Sequence, residues 1–315
     1  MSSQPAAARI RPSITVENTM IRTVQRNMAI LTVSVPFAGT IGAVLLAWYR
    51  GVGVLEIGLL LTTFVLINFG LEVGFHRYFA HRAFATSRFM AAMLGILGSM
   101  AAEGSILYWA AGHRRHHSHS DTDDDPHSPH VRHKNENLGL LRGLWHAHIG
   151  WMMSDRVTNC TLFAKDILRD PVLNRIHRLY VPLVLAGLAI PGIIGGLVTW
   201  SWSGALSGFL WGGLFRMFLL HHSTWSNASF SHVYGGRPFA TGDLSTNNFW
   251  CAIPTFGASW QNNHHMFPTS AYLGFEWWQI DIGAWFIRAM AAAGLVWDVK
   301  GRPPETLQAA RRVTA

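Results

Sequence analysis

Charge is scarce in this sequence. Charged residues fill 13% of its 315 positions while apolar residues fill 50%, against about 25% charged in ordinary soluble domains. That deficit points to a chain keeping much of its surface in lipid. Cysteine is nearly absent: Cys160 and Cys251 stand alone, form no CxxC, and exclude a disulfide framework. They read as two small packing residues. Residues 1–25 lack the apolar core of a signal peptide. No internal repeat, long linker or second domain is evident.

What is abundant is equally uneven. The 14 Trp fit membrane–water boundaries. The formal charge of +8 suits anionic lipid or an acidic protein partner, and the long apolar stretches argue against nucleic acid. Seventeen His is the unusual count, and most lie in clusters interleaved with Arg, aromatic and acidic residues.

Roughly 20 apolar residues cross a bilayer as a helix. Stretches of that kind run over about 27–48, 53–73, 179–200 and 204–224. The turns after the first and third carry little positive charge. The basic tail, middle and C-terminal third should therefore be cytoplasmic, with Trp48, Trp200 and Trp202 in a belt on the far side. The fold expected is all-α and integral to the membrane: four transmembrane helices in two hairpins, with a cytoplasmic helical cap holding a di-metal site. Residues 1–25 read as a cytoplasmic tail, 26–300 as the membrane domain with its cap drawn from 74–178 and 225–300, and 301–315 as a loose tail. Both termini then lie in the cytoplasm. Residues 89–111 are apolar enough for a fifth span, but crossing there would part His76 and His81 from every later His. They are expected buried against protein or at the interface. Arg216, within the fourth span, should face protein or a polar partner.

Three clusters carry the chemistry. His76 and His81 end the second span. His113, His116 and His117 have i, i+3, i+4 spacing, which puts three imidazoles on one helix face. Gln261-Asn-Asn-His264-His265 follows the fourth span, with His232 upstream. Imidazole suits iron, zinc, copper or nickel. Eight His exceed the four ligands that fill one structural zinc, so two metals are the economical reading. Among the remaining His, most read as loop residues. Asp121 and Asp125 are equally placed as hydrogen-bond partners of the ligands or as parts of a solvated loop, and Glu72 can pair with His76 or with Arg216.

Over about residues 50–280 the chain resembles the membrane fatty-acid desaturases, within them the Δ9-type acyl-CoA and acyl-lipid branch of bacterial kind. The resemblance rests on HRYFAHRAF at 76–84, HRRHHSHSDTDDDPHSP at 113–129, Gly150-Trp151 after His148, TWSNASFSH at 224–232 and NNHHMFP at 262–268. It implies two iron ions held by His76, His81, His113, His116, His117, His232, His264 and His265, Asn227 acting through water, and His148 behind the ligands. The third box departs from the family pattern by opening with Gln261, whose carbonyl oxygen is a weaker ligand than imidazole.

The activity implied is O₂-dependent desaturation of an acyl chain carried on CoA, acyl-carrier protein or lipid. Hydroxylase, acetylenase or terminal alkene- and alkyne-forming outcomes on the same irons are the alternative. A membrane metal transporter is a distant one, because its sites sit near the membrane midplane. The chain contains no His-Pro-Gly-Gly and no GxGxxG after a strand. A separate electron donor is therefore implied, ferredoxin-like or cytochrome b5-like, with its reductase. The implied location is a bacterial inner membrane. Trp109, Trp145, Trp151 and Trp260 are candidates for an acyl tunnel, with ordinary core or interfacial packing an equal alternative for each.

Overall fold

A computed structural model describes residues 13–132, 134 and 136–312. Arg9, Arg11, His133 and residues 313–315 lie outside the described residues. Four helices are long and apolar enough to cross a membrane: Thr19–Arg50, Val54–Ala80, Tyr180–Thr199 and Trp202–His232. The sheet content among the described residues is three two-residue antiparallel pairs.

The first span starts ahead of its apolar run because Asn18 caps it, its side chain accepting from the Ile21 amide at 3.1 Å. Thr15–Val16 pairs with Val157–Thr158, and Gln25 donates to the Ser154 carbonyl at 3.1 Å. The stretch just before the membrane is thus tied to the cap. At the other end Glu305–Arg311 is helical.

Two spans change their winding, the second where it reaches the cap and the fourth in its first half. The second runs as an α-helix over Val54–Asn68 and as a π-helix over Phe69–Ala80; the fourth contains a π segment over Phe209–Phe215. π turns are rare and concentrate at functional sites. Here the longer one carries Glu72 and His76.

Residues 89–111 form no span. They split into Arg88–Ser99, capped by Ser87, and Ile106–His119, capped by Ser105. Gly104, at φ +99°, sits in the turn between them. Twelve residues reach only about 18 Å, short of a roughly 30 Å hydrocarbon core. The first of these helices lies on the π-helix so closely that a Cβ on Gly70 would come within 2.3 Å of the Gly98 amide nitrogen. Leu71, Val73, Phe75, Leu94, Ile106 and Ala110 form the core between them.

Buried cations fasten the cap to the spans. Arg216 donates to the carbonyl oxygens of Gly212, Met100 and Gly187 at 3.2–3.4 Å. Carbonyl dipoles, and not Glu72, therefore satisfy it. Arg77 pairs with Asp281 at 2.8 Å. Asp281 also accepts from the amides of Leu273, Gly274 and Ala284. Arg114 holds Asp166 through two nitrogens at 2.6 and 3.0 Å.

Candidate metal centre

The π-helix delivers His76, and His81 follows at its end. Ile106–His119 presents His113, His116 and His117. The short helix Gln261–Met266 brings His264 and His265, and a 3-10 turn closing the fourth span brings His232. These elements are far apart in sequence, yet their imidazoles meet.

Two groups form. In the first, ligand-capable atoms of His76, His81, His113 and His264 all lie within 4.8 Å of one another; in the second, those of His116, His232 and His265 do. The ring of His117 lies 4.6 Å from those of His113 and His264 and 4.4 Å from that of His265, between the groups. Opposed nitrogens are close: His81 Nε2 and His113 Nε2 at 2.7 Å, His76 Nε2 and His264 Nε2 at 2.9 Å, and His116 Nε2 and His265 Nε2 at 3.3 Å.

Carboxylates fix which nitrogen carries the proton. The Nδ1 atoms of His76, His116 and His232 lie 3.0 Å from Glu72, Asp125 and Asp121, and that of His265 lies 2.5 Å from Asp243. An ionised carboxylate only accepts, so each Nδ1 is the donor and each neutral ring turns a bare Nε2 inward. His116 and His265 thus point lone pairs at each other, a repulsive arrangement that a cation between them makes attractive. Orphaned atoms fit the same picture. His117 Nε2, His232 Nε2, Asn227 Oδ1 and Gln261 Oε1 are buried without a partner. The donor set is that of a nitrogen-rich transition-metal site with carboxylates orienting the ligands.

The electrostatics agree. Burial and the neighbouring rings hold His81, His113, His117 and His264 well below the usual imidazole value, so they stay neutral. Burial likewise brings His265 down to about 4 against the pull of Asp243. The exception is His116, where Asp125 outweighs burial and raises the value, favouring a proton on that ring until a cation displaces it. Burial of Asp121, Asp125 and Asp243 is outweighed by their imidazole partners, which hold all three below the usual carboxylate range.

A cavity of about 100 Å³ touches both groups, lined by His76, His113, His116, His232, Asn227 and Gln261 among others. Trp109 and Trp151 line it, whereas Trp145 is exposed and the Trp260 ring is buried, its Nε1 donating to the Ile280 carbonyl. Beside it lies a larger, mainly apolar cavity of about 630 Å³. Glu103, Tyr108 and Trp151 line both.

Not every residue singled out in the sequence faces the cluster. His148 contacts Ser229 Oγ and His222 Nδ1, each at 2.9 Å, instead of a clustered imidazole. His221 lies 2.8 Å from the Ala101 carbonyl oxygen. Asp243 carries no signal of this role in the sequence, because it comes from an unpatterned loop. His127 joins His116 and Asp125 in a third small group and reads in sequence as one more loop His. Glu103 stands out in the sequence only as a charge inside an apolar stretch.

The family model described as fatty acid desaturase matches residues 52–300. The chain is 46% identical to a hex-5-enoyl-[acyl-carrier protein] acetylenase of Moorena producens (strain JHB) over 294 residues, covering 93% of this chain and 92% of that protein. It is 34% identical to an sn-1 stearoyl-lipid 9-desaturase of Anabaena variabilis over 76% of this chain and 82% of the other. It is also 33% identical to an icosanoyl-CoA 5-desaturase of Limnanthes douglasii, over 76% and 64% respectively.

Proposed function

The chain belongs to the fatty acid desaturase family, and on that premise we propose a di-iron enzyme of a bacterial inner membrane that oxidises a short acyl chain on acyl-carrier protein. A –CH₂–CH₂– unit, O₂, two electrons and two protons give an alkene and two waters; the same removal from an alkene gives an alkyne. The observation that carries the metal assignment is the pair of inward-facing imidazole groups whose outer nitrogens are tied to Glu72, Asp121, Asp125 and Asp243. The short chain and its carrier are supported by the likeness to the acetylenase over 93% of the chain and by the small cavity against the imidazoles.

His76, His81, His113 and His264 would hold one iron and His116, His232 and His265 the other, with His117 between them. Gln261 and Asn227, each with a free oxygen on the cavity, would complete the second site directly or through water. Bound iron would supply an O₂-derived oxidant strong enough to take hydrogen from an unactivated carbon, which no acid–base side chain does. The protein's own part is positional. The carboxylates fix ring tautomers, Trp109 stacks on His113 with ring centres 4.9 Å apart, and the buried cavity keeps water from the reacting carbons. A polar cavity of about 400 Å³, lined by His117, Asp243, His265 and Arg311, reaches the cluster from another side. It suits electron delivery from a separate ferredoxin-like or cytochrome b5-like donor with its reductase.

The test is product analysis. Purified protein, with a reducing system, is given hexanoyl- and hex-5-enoyl-acyl-carrier protein, and products are resolved by gas chromatography with bond localisation. Alkene from the first and alkyne from the second are expected, both lost with the iron in His264→Ala. A second reading, desaturation of a long lipid-linked chain, is favoured by the likeness to the stearoyl-lipid desaturase. Turnover of stearoyl lipid with no hexanoyl product would replace the first reading by the second.

A further inference from the structure

Among the described residues Glu103 is the one carboxyl that lines both cavities, and its hydrogen-bond and ion-pair neighbours, Trp225 and His221, are not clustered imidazoles. Its side chain is 7% exposed. Oε2 accepts from the Trp225 indole N–H at 3.1 Å. An indole N–H only donates, so when the carboxyl is neutral its proton belongs on Oε1. That oxygen is buried and has no partner. The nearest charged or titratable atom, His221 Nε2 at 3.8 Å, is itself donating to the Ala101 carbonyl and cannot accept. Glu72 lines the smaller cavity but is engaged with His76. The Tyr108 hydroxyl is bonded to Gln25 Oε1 at 3.2 Å. Burial pushes Glu103 up to about 8, so at neutral pH an O–H group sits at the junction of the cavities with nothing to bond.

Leaving a buried donor unpaired is costly, and the position invites a ligand acceptor. A saturated hydrocarbon tail has none. An acyl thioester has one good acceptor, its carbonyl oxygen. Size then fixes where that carbonyl sits. A cavity of about 150 Å³ holds benzene, so on the same scale the 100 Å³ cavity takes roughly four carbons. A thioester held at the junction places those carbons, and the end of a six-carbon chain, against the imidazoles. A much longer chain would leave its carbonyl back in the larger cavity and the Glu103 proton unmatched.

We propose that Glu103 is a specificity-determining residue: its carboxyl donates a hydrogen bond to the thioester carbonyl of the substrate and so selects acyl chains of about six carbons. This rests on the acyl-oxidation reading above and assigns its chain length to one side chain.

The experiment is a binding cycle on iron-loaded full-length protein. The ligands are hexanoyl-pantetheine and its thioether analogue, in which CH₂ replaces the carbonyl. The proteins are wild type, Glu103→Gln, which keeps an N–H donor, and the near-isosteric Glu103→Leu; iron content and melting midpoint establish that each is folded. Loss of the carbonyl should weaken binding about tenfold in wild type and Glu103→Gln, and less than twofold in Glu103→Leu. In parallel, the preference for hexanoyl- over dodecanoyl-acyl-carrier protein in kcat/KM should fall at least fivefold in Glu103→Leu, mainly through KM. Equal carbonyl dependence in all three proteins overturns the proposal. So does an affinity in wild type set by a terminal double bond and not by the carbonyl. Wild type that oxidises hexanoyl substrate without coupling to Glu103 sinks this inference alone. Wild type that neither binds nor oxidises hexanoyl substrates, yet handles stearoyl chains, sinks the short-chain reading with it.

Discussion

Four imidazoles in this centre are oriented from behind by carboxylates bonded to their Nδ1 atoms. At Asp243 the contact to His265 Nδ1 is 2.5 Å, and Asp243 is in turn braced by the Ser245 amide and hydroxyl. Ser245 and Asp243 thus set the rotation of His265, and the carboxylate charge raises the basicity of the ring for a metal at Nε2. Removing such a partner costs about 10- to 100-fold in metal affinity. Asp243→Asn is therefore expected to lower iron affinity by that factor, measured by competition with a chelator, while Asp170→Asn, at the head of the helix Pro171–Arg178, leaves it unchanged. Equal affinity in wild type and Asp243→Asn would remove Asp243 from the centre. The sequence exposed the imidazoles because i, i+3, i+4 spacing is local. It left the role of Asp121 and Asp125 open, although both follow His116 within one turn and loop. Asp243 lies 22 residues from its partner His265, and no spacing rule reaches across an irregular loop.

At the scale of elements, the π-helix Phe69–Ala80 is held on three sides. Gly70 and Gly98 allow backbone contact with Arg88–Ser99, and Arg114 donates to the Phe79 and Ala80 carbonyls. Arg77 reaches Asp281 at the head of Ile282–Ala292. Both partners of that last pair are nearly fully buried. Losing one partner of a buried pair typically costs about 3–5 kcal/mol, because the other charge stays unmatched. Asp281→Ala should lower the melting midpoint strongly and release iron, since His76 is the neighbour of Arg77. Asp166→Ala, whose partners are more exposed, should do so much less. A midpoint unchanged in Asp281→Ala would show that the pair does not anchor the helix. That residues 89–111 do not cross follows from the chemistry of the His clusters, since hydropathy alone allows a span, whereas their split into Arg88–Ser99 and Ile106–His119 is visible only in the structure. The π winding was not legible, because no residue pattern distinguishes it from an α-helix of the same apolar composition.

For the whole molecule, the end of the second span, the start of the third and the end of the fourth share one side with the cap. Trp48, Trp200 and Trp202, all more than 80% exposed, mark the other. Under the proposal that the basic segments are cytoplasmic, that aromatic end would face out of the cell. In a Cys160→Ser, Cys251→Ser background, Trp202→Cys should react with a membrane-impermeant maleimide in intact cells. Glu305→Cys should react only after permeabilisation. The reverse pattern would invert the topology.

Composition and hydropathy by themselves determined the membrane class and the position of the four spans, because transfer of apolar residues into lipid is additive along a chain; that residues 89–111 add no fifth crossing followed from the placing of the His clusters. Local periodicity likewise determined which imidazoles are available on Ile106–His119. Which carboxylate meets which ring, that Arg216 rests on carbonyl oxygens, and that Glu103 stands between two cavities with a free oxygen were decided only by tertiary structure. Each of these depends on elements distant in sequence meeting at hydrogen-bond range. Burial, which sets both the cost of an unmatched polar atom and the proton it carries, exists only once they have met.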